Sequence, residues 1–105
     1  MNVKMISTTN SAFDELIGKK GTLKIDRTFN FNFSEDMEGV SFDFRRGYMT
    51  SSAIETFTQV EVSMSCYELT INTSNSTYVF RDGELTDEKP YTKEQKLDIM
   101  MMYGL

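Results

Sequence analysis

A chain of 105 residues, 39% apolar and 26% charged, is long enough for one domain and too short to divide. It has no histidine and a single cysteine, which excludes serine–histidine hydrolysis, histidine-based zinc sites, an intramolecular disulfide and a thiolate metal cluster. Its net charge of −5 is uneven, because residues 34–88 carry eleven acidic against three basic side chains while both flanks are slightly basic, and such an acidic middle repels phosphate backbones and attracts basic surfaces.

Ser11 to Ile17 reads as a short helix, with Asn10 or Ser11 as N-cap, Asp14 and Glu15 in the first turn, and Gly18 as its stop. From Leu23 to Phe33 the apolar residues Leu23, Ile25, Phe29, Phe31 and Phe33 recur at every second position, the period of a half-buried strand. Only Arg27 breaks that face, so a bend or two short strands meeting near Asp26-Arg27 are expected. After the polar turn Ser34–Gly39, Val40, Phe42 and Phe44 alternate with polar residues and complete a hairpin with the preceding strand. Arg46 to Ser52 reads as a loop, and a further strand begins near Ile54. Val60, Val62 and Met64 share one phase, Tyr67, Leu69 and Ile71 the other, so the chain must bulge or turn near Ser65-Cys66 to keep one face inward. Asn72–Thr77 is a turn, Tyr78–Arg81 a returning strand, and Asp82-Gly83 another turn signal.

Past Pro90, Thr92-Lys93-Glu94-Gln95 matches a capping box and Gly104 suits the end of a helix. The apolar residues of this C-terminal helix, with Met100, Met101 and Met102 in a row, exceed a single stripe. The expected fold is therefore α+β: a single domain over 1–105, with a mostly antiparallel sheet of five or six strands and short helices from both termini packed on it. No run approaches the roughly 20 apolar residues of a membrane span and the N-terminal apolar stretch is too short for a signal peptide, so a soluble cytoplasmic protein with no membrane partner is expected.

Chemistry is sparse. Cys66, with no histidine to act on it, reads as a buried, inert thiol. The glycines stand singly at suspected element ends, so no phosphate-cradling loop is present, and a small domain has little room for a substrate cleft. An enzyme is not expected. Phe29, Phe31 and Phe33, near Lys24, Arg27, Arg45 and Arg46, read as core rather than as a base-stacking platform because they share a face with Leu23 and Ile25, and Arg45-Arg46 is expected to pair with local carboxylates.

The acidic block is the sharpest candidate: Glu35, Asp36, Glu38, Asp43, Glu61, Asp82, Glu84, Asp87 and Glu88, with Glu55 and Glu68 on strand faces. Carboxylates two apart on a strand lie about 7 Å from each other, as do successive phosphates, so such a row could imitate a nucleic acid. A solvated face competes with that reading, and neither Asp82-x-Glu84 nor Glu35-Asp36-x-Glu38 has the spacing of a calcium loop. No metal or other cofactor is expected. The function expected is that of a small non-enzymatic binding module whose acidic face engages a basic site on another protein. Its concrete version is a phage or mobile-element inhibitor, an anti-CRISPR-like DNA mimic that occludes a nucleic-acid-binding site without itself contacting nucleic acid. The alternative is an assembly protein that forms a homo-oligomer through strand edges or the methionine-rich helix, with Met102 and Tyr103 as its contact surface.

Overall fold

The computed structural model describes residues 1–83. They form a seven-stranded antiparallel sheet from β1 (Asn2–Thr8), β2 (Lys20–Ile25), β3 (Phe29–Asn32), β4 (Tyr48–Thr50), β5 (Ile54–Ser63), β6 (Cys66–Thr73) and β7 (Thr77–Asp82). The spatial order is β4-β3-β2-β1-β7-β6-β5. The helical turns among the described residues are two short 3-10 segments, η1 (Ser11–Leu16) and η2 (Phe42–Phe44). The expectation of an α+β fold with helices packed on the sheet is thereby overturned: the described residues form an almost wholly β architecture with no α-helix. The C-terminal helix expected past Pro90 lies outside the described residues.

The N-terminal helix fails as an α-helix for a local reason. The Asn10 side chain accepts a hydrogen bond from the Ala12 N–H as foreseen, but the Phe13 N–H donates to Asn10 O and the Ile17 N–H to Asp14 O, the i→i−3 pattern of a 3-10 helix. A six-residue segment gains too few i→i−4 bonds to pay the cost of nucleation. The segment instead ends where the Gly18 N–H donates to Met5 O, tying η1 to β1.

Strand alternation worked where both neighbours are strands. Leu23–Phe33 splits into β2 and β3, paired as a hairpin with Leu23 opposite Phe31 and Ile25 opposite Phe29, the turn falling at Asp26–Thr28, where the Asp26 N–H donates to Thr28 O. The phase shift after Met64 is resolved by a turn with Ser65 at φ 58 and a register shift between Glu61 and Ser63. Val40–Phe44 is not a strand. The partner of β3 is the short β4, read from the sequence as loop, with Phe31 opposite Met49. β1 also went unassigned, since only Val3 and Met5 of its seven residues are buried.

All the large core side chains lie on one face. Val3, Met5, Leu23, Phe29, Phe31, Met49, Leu69, Ile71, Tyr78 and Phe80 point inward, joined by Phe33 just past β3 and Leu16 from η1, and are covered by Phe13, Met37, Val40 and Phe44. Phe29 meets Tyr78 and Phe80 edge-on at centroid distances of 4.9 and 5.3 Å, and Phe31 meets Phe80 at 5.1 Å. Cys66 is fully buried, as expected.

The sheet is strongly curled. β4 and β5 stand at opposite ends of the strand order, yet only residues 51–53 join them. Six interstrand spacings of about 4.8 Å would put the ends of a flat sheet about 29 Å apart, whereas four Cα steps reach at most about 15 Å. The corner is pinned by the Ser51 N–H donating to Phe29 O and the Ile54 N–H donating to Arg27 O, with the buried Ser51 hydroxyl accepting from the Phe29 N–H at 2.9 Å.

Candidate functional site

The connection between β3 and β4 forms an arch over the core. Its ends are closed by the Phe33 N–H donating to Gly47 O at 2.8 Å, the geometry of an Ω-loop, a class of loop that frequently carries function. Met37, Val40 and Phe44 point down into the core, while Glu35, Glu38, Ser41, Phe42 and Asp43 are exposed. The apolar period of two in Val40–Phe44 therefore misled: Phe42 sits in η2 and is 78% exposed, and Gly39 and Gly47 take positive φ angles of 75° and 80° that turn the chain off any strand path.

Four of the expected acidic residues, Glu35, Asp36, Glu38 and Asp43, lie on this arch, and Glu15 of η1 bonds to it. Some of this charge is used internally. Glu15 accepts from both the Ser41 N–H and its hydroxyl at 2.8 Å. Asp36 accepts from the Lys20 N–H at 3.0 Å and pairs with Lys19 at 3.7 Å, while the Lys19 ammonium also donates to the Glu38 carbonyl. These contacts rivet the arch to η1 and β2.

The Lys20 N–H and, less strongly, the Lys19 ammonium hold the Asp36 carboxyl below its ordinary range. A carboxyl with a depressed folded-state pKa stabilises the fold above its unfolded pKa and loses that contribution as pH falls through the folded value. Asp36→Ala is thus expected to cost about 1 kcal/mol or less near pH 7, with the gap from the unmodified protein closing below about pH 4. Urea denaturation midpoints across pH measure this.

Among the described residues Arg45 and Arg46 show no ion pair with the local carboxylates expected for them. Arg45 lies over the Phe42 ring at 5.3 Å and Arg46 over Tyr48 at 5.2 Å. Stacking keeps each guanidinium flat on an aromatic face, which needs no partner charge. The arch therefore carries an exposed aromatic–arginine pair that charge counting alone missed.

The rest of the acidic block is scattered. Glu61 on β5 and Asp82 on β7 flank Tyr67 of β6 in register, about 10 Å from each other by strand spacing, and neither lies on the arch. Glu68 is bound to Arg81 at 3.2 Å. Glu84, Asp87, Glu88, Met102 and Tyr103 lie outside the described residues. The sheet face away from the core bears a basic row, with Lys4 opposite both Lys20 and Arg81, and these three line an open groove of about 1030 Å³ together with Glu35 and Asp36. Among the described residues no group of three or more histidine, cysteine or acidic side chains approaches closely enough to hold a metal ion. No described helix is long and apolar enough to cross a membrane.

Compared with protein-family models, with curated proteins and with solved structures, the chain matches none.

Proposed function

We propose that the protein is a small, non-enzymatic, cytoplasmic binding module whose acidic arch, residues 34–46, docks on a basic surface of another protein. The observation that supports this reading is the concentration of Glu35, Glu38 and Asp43 as exposed carboxylates on one loop that is clamped at its base by backbone and riveted by Lys19 and Lys20. A loop held in place before it binds loses less entropy on docking, and its charge speeds encounter with a basic partner. In its specific form the partner is a nucleic-acid-binding protein, and the arch works by occlusion rather than by chemistry.

The triple variant Glu35→Lys, Glu38→Lys, Asp43→Lys tests the reading. Asp36 is left alone because it holds the arch. In pull-downs from nuclease-treated lysate, a basic protein is expected to stay on the unmodified chain at about 0.1 M salt, to leave at about 0.5 M as screening shortens, and to bind the triple variant at least tenfold more weakly. Equal capture by both forms, with the fold intact by circular dichroism, would remove the arch from the interface.

A further inference from the structure

The two ends of the sheet are protected unequally. β4 is three residues long and its chain continues along β3 through the Ser51 and Ile54 bonds. β5 is ten residues long and, at the end of the strand order, has β6 as its one strand neighbour among the described residues. Glu55, Thr56, Phe57, Thr58 and Gln59 are exposed in an unbroken run, so neither face of the strand is covered there. The segment has no proline and no lysine, the usual devices that keep an exposed edge from pairing. Its ladder with β6 is regular from Thr56 to Glu61, with register shifts at Glu55 and after Glu61, so the open edge is straight across Thr56–Gln59.

The sequence of this edge reads the same in both directions in chemical terms. Outward N–H and C=O groups alternate along a strand, so two copies of β5 paired antiparallel about a two-fold axis must match residues of like parity, and the axis passes through a residue. An axis through Phe57 sets Phe57 opposite Phe57 and Thr56 opposite Thr58, with Glu55, the extra residue of the bulge between Ile54 and Thr56, nearest Gln59. An axis through Thr58 would place Phe57 against Gln59 and Thr56 against Val60; one through Thr56 would place Phe57 against the bulged Glu55. Threonine and aromatic pairs across strands stabilise a ladder. The axis through Phe57 is the one that matches the regular part of the strand.

We infer that the protein self-associates through β5, two copies pairing antiparallel about Phe57 to make one continuous sheet. Phe57 lies on the core side of β5, opposite the buried Ile71, and is itself 40% exposed. A two-fold axis normal to the sheet keeps the core faces of both copies on one side, so the two rings extend each core toward the other. The arrangement is isologous and closes at two copies, since each β5 edge is consumed. The arch is a separate loop, so the dimer does not depend on the binding function proposed above.

A pairing this short is weak, so sedimentation equilibrium is run up to about millimolar concentration, where a Kd of even that size is visible. The unmodified chain is expected to shift from monomer to dimer. Phe57→Lys, which places two ammonium groups at the axis from an already exposed position, is expected to raise the dissociation constant at least tenfold. The register is read by cysteine pairs under mild oxidation, the native Cys66 being fully buried. Phe57→Cys is expected to cross-link to itself, since facing Cα atoms lie about 5 Å apart, within disulfide reach. Thr58→Cys is not, being about 8 Å from its own copy, whereas a mixture of Thr56→Cys and Thr58→Cys chains is expected to cross-link. A monomer at every concentration, a dimer indifferent to Phe57→Lys, or self-cross-linking of Thr58→Cys in place of Phe57→Cys would each overturn the proposal.

Discussion

Phe80→Ala is expected to destabilise the protein by about 3–5 kcal/mol, the range for truncating a fully buried phenylalanine. Phe80 is 0% exposed and sits on β7, paired with Met5 of β1 on one side and Leu69 of β6 on the other. Its ring meets Phe29 and Phe31 edge-on, so truncation removes two aromatic contacts as well as buried area. The residues around the void belong to β1, β3, β6 and β7, which are locked to one another by the ladder and cannot collapse into it cheaply. Against the 5–15 kcal/mol that holds a typical domain together, a loss of this size removes from about a fifth of the stability to all of it. Urea or thermal denaturation followed by far-ultraviolet circular dichroism measures it; a loss below about 1 kcal/mol would place Phe80 outside the core.

The second large effect is expected at Gly47, immediately before β4. Gly47 has φ 80°, a conformation that costs a residue with a Cβ roughly 1–2 kcal/mol. An added Cβ would also lie 2.7 Å from Ser34 Cβ and 2.9 Å from Ser34 Cα, atoms that cannot swing aside as the end of a flexible side chain would. Gly47→Ala is therefore expected to cost about 2 kcal/mol or more and to spread the base of the arch, where the Phe33 N–H reaches Gly47 O. Gly39 is the control. It has φ 75°, but nothing stands within 4 Å of its added Cβ, so Gly39→Ala should cost only the conformational part. Equal denaturation midpoints for the two variants would show that the contact with Ser34 relaxes freely. If the arch is the docking element, Gly47→Ala should also weaken partner capture at a temperature where the fold persists.

The elements legible in the sequence were those whose instructions are local. The alternation in Leu23–Phe33 and Tyr67–Ile71 marks strands because each inward residue faces a sheet neighbour of the same phase, and the break at Arg27 and the shift near Ser65-Cys66 mark turns for the same reason. The same alternation in Val40, Phe42 and Phe44 deceived, since a loop that drops Val40 and Phe44 onto a core and leaves Phe42 in solvent writes the pattern of a strand. β4 was illegible because three residues carry no period at all, and its pairing is set by the corner at Ser51–Ile54.

The candidate site divides along the same line. That Glu35, Asp36, Glu38 and Asp43 stand close together follows from their spacing on one loop. That Glu61 and Asp82 flank Tyr67 on neighbouring strands, that Glu68 is taken up by Arg81, and that Lys4, Lys20 and Arg81 line up across the sheet depend on strand order, which no local signal encodes. Arg45 and Arg46 stack on the rings of Phe42 and Tyr48 because η2 and the start of β4 bring those rings within reach.

By itself, then, the sequence determined the chemistry excluded by the missing histidine and lone cysteine, the uneven charge, and the aromatic face of the central strands, because composition and period act at short range. Only the tertiary structure decided that, among the described residues, the expected α+β fold is a curled antiparallel sheet, that the acidic loop is an arch clamped at Gly47, and that β5 has β6 as its one strand neighbour. Those features arise from contacts between residues far apart in the chain, and which distant strands meet is settled by the burial of the whole core rather than by any one segment.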